Sequence, residues 1–253
     1  MSDILIPVVI LAFIAEYVAA TVGMGYGTTL APILIIMGYE PIVFVPAILF
    51  SQFLAGFTSA AFHHRFRNMN LAEHEDEREA ALIFSIMGVG GAVMAVLANI
   101  NLPAHFVKAY IAITVMSMGL LILADVRQDS RYSRSRLGVI GVFAAFNKGI
   151  SGGGYGPVAT SGQIVSGIRP RAAIAITALV EGVICALGII IYFVLSVTPA
   201  LLLTLAMTIG ALVAAPLSAL TTAKLEQNLV RRIVALSTLA IGLVTLLLVL
   251  TTV

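Results

Sequence analysis

Gly23-Met24-Gly25-Tyr26-Gly27, with Gly38 and Pro41 after it, returns 129 residues later as Gly152-Gly153-Gly154-Tyr155-Gly156, with Gly167 and Pro170 after it. Six identities at one fixed offset read the chain as two copies of one unit. Glycines at alternate positions allow positive φ and close approach of another group. Each cassette also interrupts a long apolar run. Gly-interrupted apolar segments at matching positions of two halves are the sequence pointer to a binding site built from broken membrane helices.

The surroundings of the cassettes are membrane-like. Of 253 residues, 60% are hydrophobic and 10% charged, with a mean hydropathy of +1.08, whereas a soluble domain carries about 25% charged residues. Residues 17–39, 41–62, 80–104 and 233–253 hold no ionised side chain, and each run is long enough for a ~30 Å hydrocarbon core. The charge-free stretch 182–223 has room for two crossings around a turn at Ser196-Val197-Thr198-Pro199. Lipid leaves no water to satisfy backbone groups, so such segments are helices. The expectation is an all-α, multi-pass protein of the cell membrane with the lipid bilayer as its solvent. No Lys or Arg precedes Ile4, so the first segment reads as retained rather than cleaved.

Several function classes are set aside. The net charge of +2 is spread over loops, which gives no surface for nucleic acid. The polar loops 63–79 and 125–136 are too short to fold as domains, and no phosphate-binding Gly-Lys-Ser/Thr loop is present. No cofactor or metal site is expected. Cys185 is the only cysteine and reads as a small buried hydrophobe. Ser151 before Gly152 faintly suggests a nucleophile, yet His63, His64, His74 and His105 all lie in the first half, and an enzyme is not expected.

Loop arginines choose the topology. Eight apolar segments are read: 4–37, 42–62, 80–98, 106–124, 137–166, 172–195, 200–221 and 230–251. If each crosses once, Lys and Arg divide 7 to 6 between the two sides. If the cassette segments enter and turn back, the division becomes 12 to 1, with Lys148 left out because it lies inside a segment. The second arrangement obeys the positive-inside rule. Three crossings per half invert one half relative to the other. The predicted fold is therefore two inverted four-segment repeats, 1–126 and 127–253, each with one re-entrant, broken helical hairpin and three full transmembrane helices.

After each cassette comes a helix-sized piece, 28–37 and 157–166, ended by Gly38 or Gly167 at the C-cap. Its N-terminus would aim free N–H groups at the glycine bend, a ready anion site. The substrate-binding candidates are Gly25, Tyr26, Gly27 and Thr28 in the first cassette and Lys148, Ser151, Gly154, Tyr155, Gly156, Ser161 and Gln163 in the second. Thr29, Asn147 and Thr160 add polarity. Lys148 is the one cation inside a cassette segment. An anionic substrate is one partner for it; snorkelling to the inner interface is the other reading. Glu16 and Glu181 are intramembrane acids and candidates for proton coupling. Gln52 matches Glu181 at the same offset and joins the binding candidates. His63, His64, Arg65 and Arg67 read mainly as an orientation signal. Gly88-Val89-Gly90-Gly91-Ala92 and Gly210-Ala211 read as small faces for helix packing, which permit a homodimer.

On these residues the chain resembles the sulfite exporter TauE/SafE family over essentially its whole length. Gly152-Gly153-Gly154-Tyr155-Gly156-Pro157-Val158, with Ser161-Gly162 and Gly167, is the more specific cassette. The first departs from the family by carrying Met24 and Tyr26 where glycine is frequent. The resemblance implies transport, usually export, of a small sulfur-containing oxyanion such as sulfite or a C2 sulfonate like sulfoacetate. Export of an anion agrees with an interior-negative potential, worth about 2.3 kcal/mol per charge per 100 mV. Alternating access is the expected mechanism. An anion channel and a proton-coupled uptake carrier for an organic anion are the alternatives.

Overall fold

The computed structural model describes residues 2–23, 25–123, 132–197, 199–224 and scattered positions beyond. These residues form α1 (Ser2–Val22), α2 (Tyr26–Ile36), α3 (Pro41–Arg65), α4 (Glu75–Asn101), α5 (Ala104–Leu123), α6 (Arg134–Ser151), α7 (Tyr155–Val165), α8 (Pro170–Val194) and α9 (Leu201–Thr222), with no strand among them. The predicted segment 230–251 and the repeat boundary at 126/127 fall largely outside the described residues. Among the described residues, five helices are long and apolar enough to span a bilayer, namely α1 through Leu5–Val22, α3, α4, α8 and α9. The protein is a multi-pass membrane protein.

Local structure repeats with the sequence. The helices α2 and α7 have 11 residues each, and α3 and α8 have 25 each. In both pairs the first and last residues lie 129 apart. Pro41 and Pro170 open α3 and α8 at the first helical position, where proline's missing N–H costs nothing. The short helices end alike. Gly38 (φ 88°) and Gly167 (φ 98°) take the left-handed position after the C-cap. The next amides, Tyr39 and Ile168, reach back to the carbonyls of Leu34 and Gln163 at 2.9 and 3.0 Å. This closure satisfies carbonyls that the helix end would orphan. The helix ends of α3 and α8 use the same closure, but with Arg67 (φ 58°) and Ser196 (φ 59°) where glycine is the usual residue.

Small residues set the packing. Gly56 lies against the Ala178 carbonyl and the Gly182 backbone, and Gly188 against Leu49, so α3 and α8 run antiparallel. Gly91 meets the backbone of Val142 and Phe146, while Gly149 meets Ala92 and Ala95, so α4 runs parallel to α6. Gly210 fits against the backbone of Val9 and Phe13, and Thr222 bonds to the carbonyls of Ala20 and Thr21, so α9 runs parallel to α1. Each cassette helix thus packs on a helix of the other half. Backbones this close gain dispersion contacts that larger side chains would forbid. Large apolar residues face outward instead: Leu82, Ile86, Val93 and Leu97 on α4, and Leu205, Ile209, Val213 and Leu217 on α9. These stripes at helical spacing are the lipid faces.

Ion pairs between the halves gather at one end of the bundle. Arg169 at the start of α8 pairs with Glu77 on α4, and Arg134 at the start of α6 pairs with Glu79. The same end holds Arg65, Arg67 and Arg171, and the Asn68 amide donates to the Ala219 carbonyl there.

Candidate functional site

Both cassettes break their helices. Gly23 (φ 71°) and Gly25 (φ 46°) carry the chain out of α1 and into α2; Gly152 (φ 68°) and Gly154 (φ 72°) do so between α6 and α7. Beyond its break the second pair folds back on itself, because Gly162 on α7 packs against Ile140 on α6. The short helices begin at Tyr26 and Tyr155, two residues earlier than the expected starts at 28 and 157, because each capping glycine leads directly into the tyrosine.

The two bends touch. Gly27 rests on the carbonyl of Gly152 and on Gly153, with no space for a side chain on either. The Gly154 amide donates to Thr28 Oγ1 at 2.7 Å, and Thr160 Oγ1 donates to the Gly23 carbonyl at 2.8 Å. This corrects the picture of two open helix tips facing a shared space. The α7 tip is partly capped by the first cassette, with Thr28 as the cap. The first amides of α2, those of Tyr26, Gly27 and Thr28, still lack acceptors within their own helix.

The predicted side chains separate into groups. Glu16 (α1) and Gln52 (α3) meet: Gln52 Nε2 donates to Glu16 Oε2 at 2.6 Å. Lys148 (α6) donates through Nζ to Glu181 Oε1 (α8) at 2.5 Å. Lys148 is 0% exposed, so its ammonium snorkels to neither interface. Its partner is a carboxylate of the protein. Gln52 and Glu181 are the 129-offset mates, so each half joins its first helix to its third through the same position with different chemistry. Glu16, Gln52, Thr177 and Glu181 line one cavity with Gly23, Gly25 and Gly56; it holds about 20 Å³, room for one water.

The tyrosines differ. Both are fully buried. The Tyr26 hydroxyl accepts from Ser51 Oγ at 3.2 Å and lies 3.5 Å from the Met207 carbonyl, away from the cavity. In the second half Val180 occupies the place of Ser51, and among the described residues the Tyr155 hydroxyl has no hydrogen-bond partner. A buried polar atom left unpaired calls for an explanation such as a ligand or a water. Gln163 is held by Thr177 Oγ1 at 2.8 Å. Gly156 is buried beside its tyrosine. Ser151 and Ser161 sit on α6 and α7, and their side chains are outside what the structure describes. His63, read as an orientation signal, is instead fully buried, with Nε2 3.3 Å from the Ala20 carbonyl and Nδ1 2.9 Å from Asn68 Nδ2. Sequence reasoning passed over Thr177, which offered no signal: it is one threonine in an apolar helix, placed by the return of α7 along α8.

Interlocked breaks around a buried acid–base cluster define a multi-pass membrane protein with a polar site inside an apolar bundle. The chain matches the family described as sulfite exporter TauE/SafE over residues 8–245, and it belongs to that family. A Bacillus subtilis (strain 168) protein described as "Probable membrane transporter protein YtnM" is 24% identical over 176 residues, which are 64% of this chain and 56% of that relative. The match therefore spans little more than half of the relative's length. No solved structure matches.

Proposed function

We propose that this protein is a secondary transporter that exports a small sulfur-containing oxyanion, sulfite or a C2 sulfonate such as sulfoacetate, across the cell membrane by alternating access. The observation that carries this reading is the pair of interlocked glycine bends beside a cavity that reaches Glu16, Gln52 and Glu181. The family supports the transport of a sulfur oxyanion. Two inverted repeats, 1–126 and 127–253, are part of the proposal. The antiparallel run of α3 along α8, equivalent helices, supports the inversion. In alternating access the halves rock about the bends. A cavity with room for one water is a closed stage of that cycle and speaks against a standing pore. Substrate is assigned to the first amides of α2 at Tyr26–Thr28, to the Tyr155 hydroxyl and to Lys148, which would exchange Glu181 for the anion. Gly25 lines the pocket and Gln163 holds Thr177 at its wall; Tyr26, Gly154, Ser151 and Ser161 lie around it in this assignment.

A second reading, proton-coupled uptake of an organic anion, is favoured by the charge count. Two carboxylates, Glu16 and Glu181, share the cluster with one ammonium. An anion arriving there adds negative charge, which a proton bound with it would offset.

The test is a thermal-shift screen of the purified protein against sulfite, sulfate, thiosulfate, sulfoacetate, taurine and simple carboxylates. Sulfite or sulfoacetate is expected to raise the unfolding midpoint. Tyr155→Phe should weaken that ligand by up to about tenfold, one hydrogen bond's worth, without lowering the ligand-free midpoint. A response to carboxylates alone would replace the first reading with the second.

A further inference from the structure

At the ion-paired end of the bundle lies a second cavity that the transport site does not use. Its volume is about 470 Å³, and its lining includes His64, Arg65, Arg67, Asn70, His74 and Arg169. We propose that it is a binding site for a phosphate group, carried by an anionic phospholipid headgroup or by a soluble phosphate.

The walls come from both halves. The end of α3 supplies His64 and Arg65, the turn to α4 supplies Arg67, Asn70 and His74, and Arg169 comes from the start of α8. Beneath them Glu77 is 0% exposed and fixes both walls, taking Arg169 on Oε1 and the Asn70 amide on Oε2 at 2.9 Å. The pocket is thus held open by a buried anchor. Three guanidinium groups face two carboxylates, Glu73 on the rim and Glu77 below, which leaves one excess positive charge before the histidines are counted. Among the described residues Arg65 and Arg67 make no ion pair, so two planar forks remain for an oxyanion, the geometry that suits phosphate.

Arg67 carries the argument furthest. Its φ of 58° lies in the left-handed region, at the closure where Gly38 and Gly167 stand in the short helices. An orientation signal needs charge on this side of the membrane, not an arginine at the one turn position that prefers glycine. Ser196 takes the same left-handed turn at the matching position of α8 (φ 59°), so the guanidinium, not the strain, is what α3 adds there. Basic pockets at the ends of membrane helices recognise anionic headgroups, and nothing in this inference depends on what the transport site carries.

The experiment follows thermal unfolding of the full-length protein in phosphatidylcholine nanodiscs, in nanodiscs with added cardiolipin or phosphatidylglycerol, and in phosphatidylcholine nanodiscs with inorganic phosphate at matched ionic strength. Wild type should unfold at a higher temperature with a phosphate probe. Arg67→Gly removes the guanidinium and relieves the left-handed strain. It should keep or raise the midpoint in phosphatidylcholine alone and lose the response. Arg65→Gln should reduce the response. A shift with anionic lipid only assigns a headgroup; an equal shift with inorganic phosphate assigns a soluble ligand. An undiminished response in Arg67→Gly, or none to any phosphate probe in wild type, overturns the proposal.

Discussion

Lys148 and Glu181 show how much a single buried pair asks of its surroundings. Taking either ion out of water costs several kcal/mol, and their mutual attraction offsets this only while both remain. The pair is enclosed, with the lysine side chain 0% and the glutamate 10% exposed. Lys148→Met alone should therefore destabilise the fold by about 3–5 kcal/mol, by stranding a carboxylate. The double variant Lys148→Met/Glu181→Leu should recover most of that loss, because apolar residues of similar volume replace a pair as readily as they break it. Chemical or thermal unfolding in detergent measures both. A double variant no more stable than the single would show that the pair is not the stabilising unit. The recovered double variant should still fail to respond to the anion, which separates folding from the proposed role in binding. The sequence left Lys148 two readings, an anionic partner or a snorkelling path to the interface, and the structure gives it a partner. The sequence could not show which, because that partner lies 33 residues away on a helix whose direction depends on the intervening hairpin.

Among the helices, glycine acts in two ways that one letter conceals. Gly38 (φ 88°) has open space where a Cβ would stand, whereas a Cβ on Gly27 would run into the backbone of Gly152. Gly38→Ala should thus cost about 1 kcal/mol, the backbone penalty alone. Gly27→Ala should cost more than about 3 kcal/mol, because the backbone it strikes cannot yield as a side chain would. Midpoints of unfolding for the two variants check the contrast, and equal losses would mean the bends are not in contact. The 129-residue offset made the breaks, the short helices and their glycine stops legible in the sequence, since each follows from local backbone rules. Capping of one bend by the other was not legible. Thr28 meets Gly154 across 126 residues, and a polar side chain near a helix start looks the same whether it faces a ligand or another loop. The starts of α2 and α7 were misplaced for a related reason: proline at 157 suggests a first turn there, but the capping glycine two positions ahead of the tyrosine's neighbour already sets the helix in motion.

At the scale of the molecule the question is which ends share a side of the membrane. The pairing of α3 with α8 is antiparallel, and α1 with α9 and α4 with α6 are parallel. The starts of α4, α6 and α8 consequently meet at the end where α3 and α9 finish, joined by Arg169–Glu77, Arg134–Glu79 and the Asn68–Ala219 hydrogen bond. Asn101, His105 and Lys108 lie at the α4–α5 turn, toward the opposite end, where Lys108 reaches Glu40 at 2.7 Å. Positive-inside bias predicts that the arginine-rich end faces the cytoplasm. Loop charge led the sequence reading to expect 168–171 on the same side as 63–79, because a re-entrant cassette moves 168–171 across the membrane relative to a straight one; the Arg169–Glu77 pair brings these two segments to one end. Cysteines introduced at exposed Arg171 and at exposed His105, in a background with Cys185→Ala, should report opposite sides. A membrane-impermeant thiol reagent added to intact cells should label His105→Cys and leave Arg171→Cys unlabelled until the membrane is opened. Labelling of both from outside would mean that α6 and α7 run through the bilayer rather than turning back, and the inverted repeat would fall with that result.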